Sequence, residues 1–160
     1  MFGSQRVLFI CTGNFYRSRF AEAVFNHEAR IAGLRWTAFS RGIRPHTEEG
    51  NLSLHAEHAL IERGITVEDT PGPPTRVEMS DLMDATLQIA MQRSEHEDPL
   101  TDRFGSWAER IEFWNVADIP HATPEEALPL IERGVGKIVR SLEDGGVLAN
   151  EPFPSFVSEC

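Results

Sequence analysis

The stretch Arg6–Val7–Leu8–Phe9–Ile10–Cys11–Thr12–Gly13–Asn14–Phe15–Tyr16–Arg17–Ser18 decides the architecture of this chain. Val7 to Ile10 is an unbroken apolar run with β-branched and aromatic content, which suits a strand covered on both faces. The run stops at Cys11, and a helical pattern follows, with Phe20, Ala23, Val24, His27 and Ile31 at three- and four-residue steps before Gly33. Strand, short loop, helix: this is the opening unit of a parallel α/β sheet.

The rest of the chain repeats that alternation. Trp36 to Ser40 reads as a second strand, Leu54 to Ile61 as a helix ending at Gly64, Leu87 to Met91 as a third strand and Ile111 to Val116 as a fourth. Thr123–Pro124–Glu125–Glu126 has the residues of a capping box with proline at the first helical position. The helix it opens carries Ala127, Leu130, Ile131, Val135, Ile138, Val139 and Leu142 on one face, although Pro129 and Gly134 weaken its first half. The expectation is one α/β domain over residues 1–149, a four-stranded parallel doubly wound sheet flanked by helices, with an irregular tail at 150–160. In such a sheet the loops leaving the C-terminal ends of the strands share one edge, and ligands bind there. The loop at Cys11 and the loop after Val116 should both lie on that edge.

Composition narrows the function classes. With 160 residues the chain is one ordinary domain. Fifteen Lys and Arg against twenty-five Asp and Glu give a net charge of −10, which disfavours nucleic acid and anionic membranes as partners. No apolar run approaches the roughly 20 residues of a bilayer span, and the start lacks the layout of a signal peptide. Two cysteines, Cys11 and Cys160, make no disulfide framework, so the expected location is cytoplasmic.

The loop Cys11 to Ser18 carries chemistry. A loop of this shape can curl so that successive backbone N–H groups point inward and add to the positive end of the helix dipole. An oxyanion held there has a thiol beneath it and the Arg17 fork on two of its oxygens. The same field favours thiolate over thiol at Cys11. Gly13 permits a tight turn, and Asn14 is of the non-glycine type most tolerant of a left-handed conformation. Ser18 can donate to the thiolate or cap the helix. No other phosphate-loop or dithiol motif fits: G-x-x-x-x-G-K-[ST], G-x-G-x-x-G and C-x-x-C are all absent from the chain.

Val7 to Asn14 followed by Arg17–Ser18 resembles the phosphate-binding loop of the low-molecular-weight protein tyrosine phosphatases. The likeness continues through Phe20–Ala21–Glu22–Ala23–Val24–Phe25, Ser40–Arg41–Gly42, Leu60 to Ile65 and Trp114–Asn115–Val116–Ala117–Asp118, and covers most of residues 6 to 145. The resemblance implies hydrolysis through a phosphocysteine, with no metal or cofactor, on a phosphorylated protein or small aryl phosphate. It casts Cys11 as nucleophile, Arg17 as phosphate clamp and Asp118 as general acid, whose alternative is a solvated surface charge. Thr12, Gly13, Asn14, Phe15, Tyr16, Arg17 and Ser18 would line the phosphate. Asn14 would hold the loop's backbone with Ser40 as partner, and Ser18 would stabilise the thiolate.

Several positions depart from that pattern. A second loop cysteine is replaced by Tyr16, so peroxide should carry Cys11 up the oxidation ladder with poor thiol rescue unless Cys160 steps in. The acid is followed by Ile119–Pro120–His121 in place of proline and aromatics. Phe15 stands where related phosphoarginine enzymes have threonine, which favours an aromatic ester, with Phe15, His46 or His121 as wall residues. Arg41 and Arg44 offer local positive charge, and Pro73 to Arg76 replaces a histidine that supports the loop in many relatives. His55 and His58 read as exposed helix polarity, and Glu95 to Asp102 as a solvated acidic segment. Arsenate reduction with an external thiol and non-catalytic binding of phosphate or a phosphoprotein are the alternatives on the same scaffold. The oligomeric state is not legible.

Overall fold

Residues 5–45, 48 and 50–145 are described by the computed structural model of the chain. Four strands, β1 (Gln5–Cys11), β2 (Trp36–Gly42), β3 (Leu87–Ala90) and β4 (Glu112–Phe113), form one sheet in the order β2-β1-β3-β4. Every pairing is parallel, with Cys11 opposite Gly42 at one end of the ladder and Ile10 opposite Ala90. β1 is central, and its side chains alternate between two cores. Val7, Phe9 and Cys11 face one with helices α1 (Arg17–Ile31), α2 (Leu54–Glu62) and α5 (Pro124–Glu143). Leu8 and Ile10 face the other, built with α3 (Met79–Asp84) and α4 (Arg93–Phe104). That double burial is why the β1 run is apolar at every position instead of alternating.

The expected strands and helices are present, with informative differences at their ends. β4 is shorter than the Ile111–Val116 expected, because the chain leaves the regular ladder at Trp114. Its continuation is held by single bonds from the Trp114 and Val116 N–H groups to the Ala90 and Met91 carbonyls. α5 opens with the predicted capping box, Thr123 and Glu126 exchanging bonds with each other's backbone N–H, and runs unbroken through Pro129 and Gly134. Gly134 is there for contact: a Cβ at that position would sit 2.6 Å from the indole of the buried Trp114.

α4 corrects the reading of the acidic stretch as merely solvated. It is a 12-residue helix that buries His96, Leu100 and Phe104, one residue per turn, under a polar surface. The proposed tail at 150–160 and the boundary at 149 lie outside the described residues, as do His46 and Cys160. Among the described residues no helix is long and apolar enough to cross a membrane.

Candidate active site

β1 ends at Cys11 and α1 begins at Arg17, so the loop between them wraps around the C-terminal edge of the sheet. Its carbonyls face outward. Cys11, Thr12 and Phe15 C=O accept from the N–H groups of Ile43, Arg44 and Ser53 at 2.8–3.0 Å. In a trans peptide the C=O and the following N–H point in opposite directions. Those three bonds therefore turn the N–H groups of Thr12, Gly13 and Tyr16 toward the interior of the loop. α1 adds its own first-turn donors, for Tyr16 at the N-cap position makes no side-chain cap. The result is a ring of main-chain donors suited to a tetrahedral anion.

The left-handed turn that closes the ring falls on Asn14, at φ 52°, with the side chain 1% exposed. Its amide is used completely. Nδ2 donates to Ser18 Oγ and to Ser40 Oγ, both at 2.9 Å, and Oδ1 accepts from the Thr75 N–H at 2.8 Å. The last bond ties the loop to the Pro73–Arg76 segment through backbone, at the place where the sequence offered no side chain to support it. Because Asn14 donates to Ser18 Oγ, the Ser18 hydroxyl proton is free to point at Cys11 Sγ, 3.0 Å away. Of the two roles open to Ser18 in the sequence, donation to sulfur is the one this geometry supports. Ser40 in turn donates to Glu22, a buried carboxyl pushed up by desolvation despite its bonds from Ser40 and Thr70.

Gly42 makes this proximity achievable. A Cβ there would lie 2.7 Å from the Thr12 carbonyl oxygen and 2.9 Å from the Asn14 nitrogen. β2 can therefore lie against the loop only if this residue has no side chain.

Arg17 is 1% exposed. Its NH1 donates to the Val116 carbonyl at 2.8 Å and to Glu95 Oε1 at 3.0 Å, and its NH2 to Glu95 Oε2 at 2.8 Å. Asp118 Oδ2 stands 3.3 Å from the same NH2. Burial alone would lower the Arg17 pKa, but the Glu95 bonds and the nearby Cys11 and Asp118 raise it, so the guanidinium stays charged. Burial would likewise raise the Glu95 pKa. Bonds from His96, Arg17 and Thr12, with the guanidinium charge, hold its carboxyl well below the usual range. Sequence reasoning missed Glu95: a carboxylate in a run of polar residues carries no mark of its partner.

Above Cys11 opens a cavity of about 290 Å³ lined by the loop together with Arg44, Ser53, His55, Asp118 and Ile119. Cys11, Thr12, Gly13, Phe15, Tyr16, Arg17 and Asp118 all border it, so residues chosen from the sequence meet in one place. Asn14, Ser18 and Ser40 stand behind the loop as its support. His121 does not line the cavity. Ile119 and His55 do, and His55, exposed on α2 as expected, also packs edge-on to Tyr16 with ring centroids 6.3 Å apart. A thiol, a fixed guanidinium, inward N–H groups and a carboxyl at the rim are the groups needed to bind a phosphoryl group, attack it and protonate what leaves.

The profile of the family described as "Low molecular weight phosphotyrosine protein phosphatase" matches residues 6–144. A protein-arginine-phosphatase of Bacillus subtilis (strain 168) is 29% identical over 105 residues, 66% of this chain and 67% of that protein. The solved structure of a low molecular weight protein tyrosine phosphatase from T. tengcongensis is 27% identical, with a TM-score of 0.70 over 89% of this chain and 99% of that one. A protein tyrosine phosphatase from Entamoeba histolytica, 22% identical, superposes with a TM-score of 0.74 over 89% and 99%, and speaks to the fold alone.

Proposed function

The chain belongs to the low molecular weight phosphotyrosine protein phosphatase family, and from that premise we propose that it hydrolyses aryl phosphomonoesters, above all phosphotyrosine in a protein. Cys11 thiolate attacks phosphorus, the bond to the ester oxygen breaks, and the Asp118 carboxyl gives its proton to the departing phenoxide. Water then attacks the phosphocysteine, Asp118 takes a proton from it, and inorganic phosphate leaves with the thiolate restored. Arg17 and the inward N–H groups hold the equatorial oxygens through both steps. Ser18 stabilises the sulfur anion and Asn14, with Ser40, keeps the loop in shape.

The observation that carries the aryl preference is the wall of the cavity. Phe15, Ile119 and His55 present apolar and aromatic faces, Arg44 adds positive charge, and Asp118 is the single carboxylate among the lining residues. A phenyl ring fits that wall. A phosphoarginine guanidinium would meet Arg44 with one acid to balance it, and that acid is already 3.3 Å from Arg17. The identity to a protein-arginine-phosphatase gives phosphoarginine its standing as the second reading.

The test is a panel of phosphotyrosine peptide, phosphoarginine peptide, para-nitrophenyl phosphate and arsenate. The expected result is kcat/KM at least about tenfold higher for phosphotyrosine than for phosphoarginine, a difference of about 1.4 kcal/mol in transition-state binding. Cys11→Ser should abolish turnover, and Asp118→Ala should cost far more on poor leaving groups than on good ones. Phe15→Thr should narrow the gap between the two peptides. Preference for phosphoarginine in the unaltered chain would overturn the aryl assignment.

A further inference from the structure

We infer that Glu95, on the first turn of α4, is a positioning residue that selects which edge of Arg17 meets the phosphoryl group; this rests on the phosphatase reading above. Its carboxylate is the guanidinium's permanent partner and not a competitor for the guest, because Glu95 does not line the cavity over Cys11.

The donor count makes the case. A guanidinium has five N–H groups in a fixed plane. Both NH1 hydrogens are spent, one on Glu95 Oε1 and one on the Val116 carbonyl, and one NH2 hydrogen goes to Glu95 Oε2. What remains is the Nε–H and the second NH2 hydrogen, side by side on one edge. They form the parallel pair that grips two oxygens of a tetrahedral anion. Asp118, whose Oδ1 accepts from the Ile119 N–H at 2.8 Å and whose Oδ2 stands 3.3 Å from NH2 at 43% exposure, is the group that yields that hydrogen when an anion arrives.

Glu95 is itself held in place. The Gln92 N–H donates to His96 Nδ1 at 3.1 Å, so the neutral ring carries its proton on Nε2. Nε2 lies 3.1 Å from Thr12 Oγ1 and 3.2 Å from Glu95 Oε2, and Thr12 Oγ1 donates to Glu95. His96 is fully buried. Helix α4, the loop's Thr12 and the Arg17 clamp are thus fastened together through one carboxylate.

The experiment compares the full chain with Glu95→Gln, reading inorganic phosphate affinity by calorimetry, kcat and KM for para-nitrophenyl phosphate, and a thermal melt. An amide in place of the carboxylate turns one acceptor into a donor facing NH2, so the fork loses its partner. Phosphate Kd and KM should rise by about tenfold or more, with kcat changed less. In an Arg17→Lys background there is no fork to orient, and the same change should alter kcat/KM less than about twofold. Unchanged phosphate affinity overturns the inference, and tighter binding does too, by making Glu95 a rival of the guest. An equal loss in the Arg17→Lys background overturns it by tracing the effect to the packing of α4. A wild type that binds phosphate yet ignores Glu95→Gln sinks this inference alone, whereas one that neither binds phosphate nor turns over ester sinks the phosphatase reading and this with it.

Discussion

Tyr16 is the chain's one tyrosine, and its hydroxyl is buried beside the phosphate loop with no hydrogen-bond partner among the described residues. Burial pushes its pKa up, Asp118 and Glu125 push it further, and Arg17 works against them, leaving it at about 12. The sign follows from linkage. Above the unfolded value near 10 the unfolded chain gives up the phenolic proton while the folded chain keeps it, so stability falls with rising pH until about 12. We expect a single phenolate absorbance transition near pH 12 in the native protein and near pH 10 in denaturant. A native midpoint near 10 would mean the hydroxyl is open to solvent. At this scale the sequence was most legible where partners are close in the chain. Cys11, Asn14, Arg17 and Ser18 lie within one loop, and their spacing encodes their meeting. Glu95 and His55 reach the site from other elements, the former across 78 residues from Arg17, and no local pattern announces that.

Two glycines mark the places where elements touch without side chains between them, and one substitution separates their jobs. At Gly134 in α5, alanine should gain about 1 kcal/mol of helix propensity but lose more. Its Cβ would meet the fixed Trp114 ring at 2.6 Å, and overpacking of that kind costs about 1–3 kcal/mol. We expect Gly134→Ala to lower the melting temperature by a few degrees and leave kcat/KM at 25 °C within about twofold. At Gly42 the obstruction is the loop backbone itself, so relief must come from the Thr12–Asn14 segment. Gly42→Ala should therefore reduce kcat/KM by about a hundredfold, the cost of a misplacement near 1 Å at the reacting centre. Reversed phenotypes would place the rigid contact elsewhere. The same logic governs what was readable among elements. β1 announces itself by an unbroken apolar run, and α1 and α5 by dense apolar periodicity. α4 spends one residue per turn on the core and carries Pro99 inside it, leaving a pattern too thin to distinguish from a solvated segment.

The whole molecule carries a net charge of −10, while the site it encloses must attract an anion. These two facts act at different ranges. Arg17 is buried and already faced by Glu95 and Asp118, so its charge is largely cancelled beyond the cavity. Arg44, exposed at the rim, is the lining cation that a substrate meets in solvent. The far field is therefore the negative field of the surface, felt over a Debye length of about 10 Å at 0.1 M salt. An approaching phosphopeptide with acidic neighbours is repelled by that field, and one with basic neighbours is drawn in. Screening should thus have opposite effects on the two. Between about 20 and 200 mM salt, kcat/KM should rise about threefold for a phosphotyrosine flanked by Glu and fall by a similar factor when Lys flanks it. The contrast is the informative quantity, because a general salt effect on the loop would move both peptides in one direction. If it does, the surface charge plays no part in choosing substrates, and selection rests on the cavity wall alone.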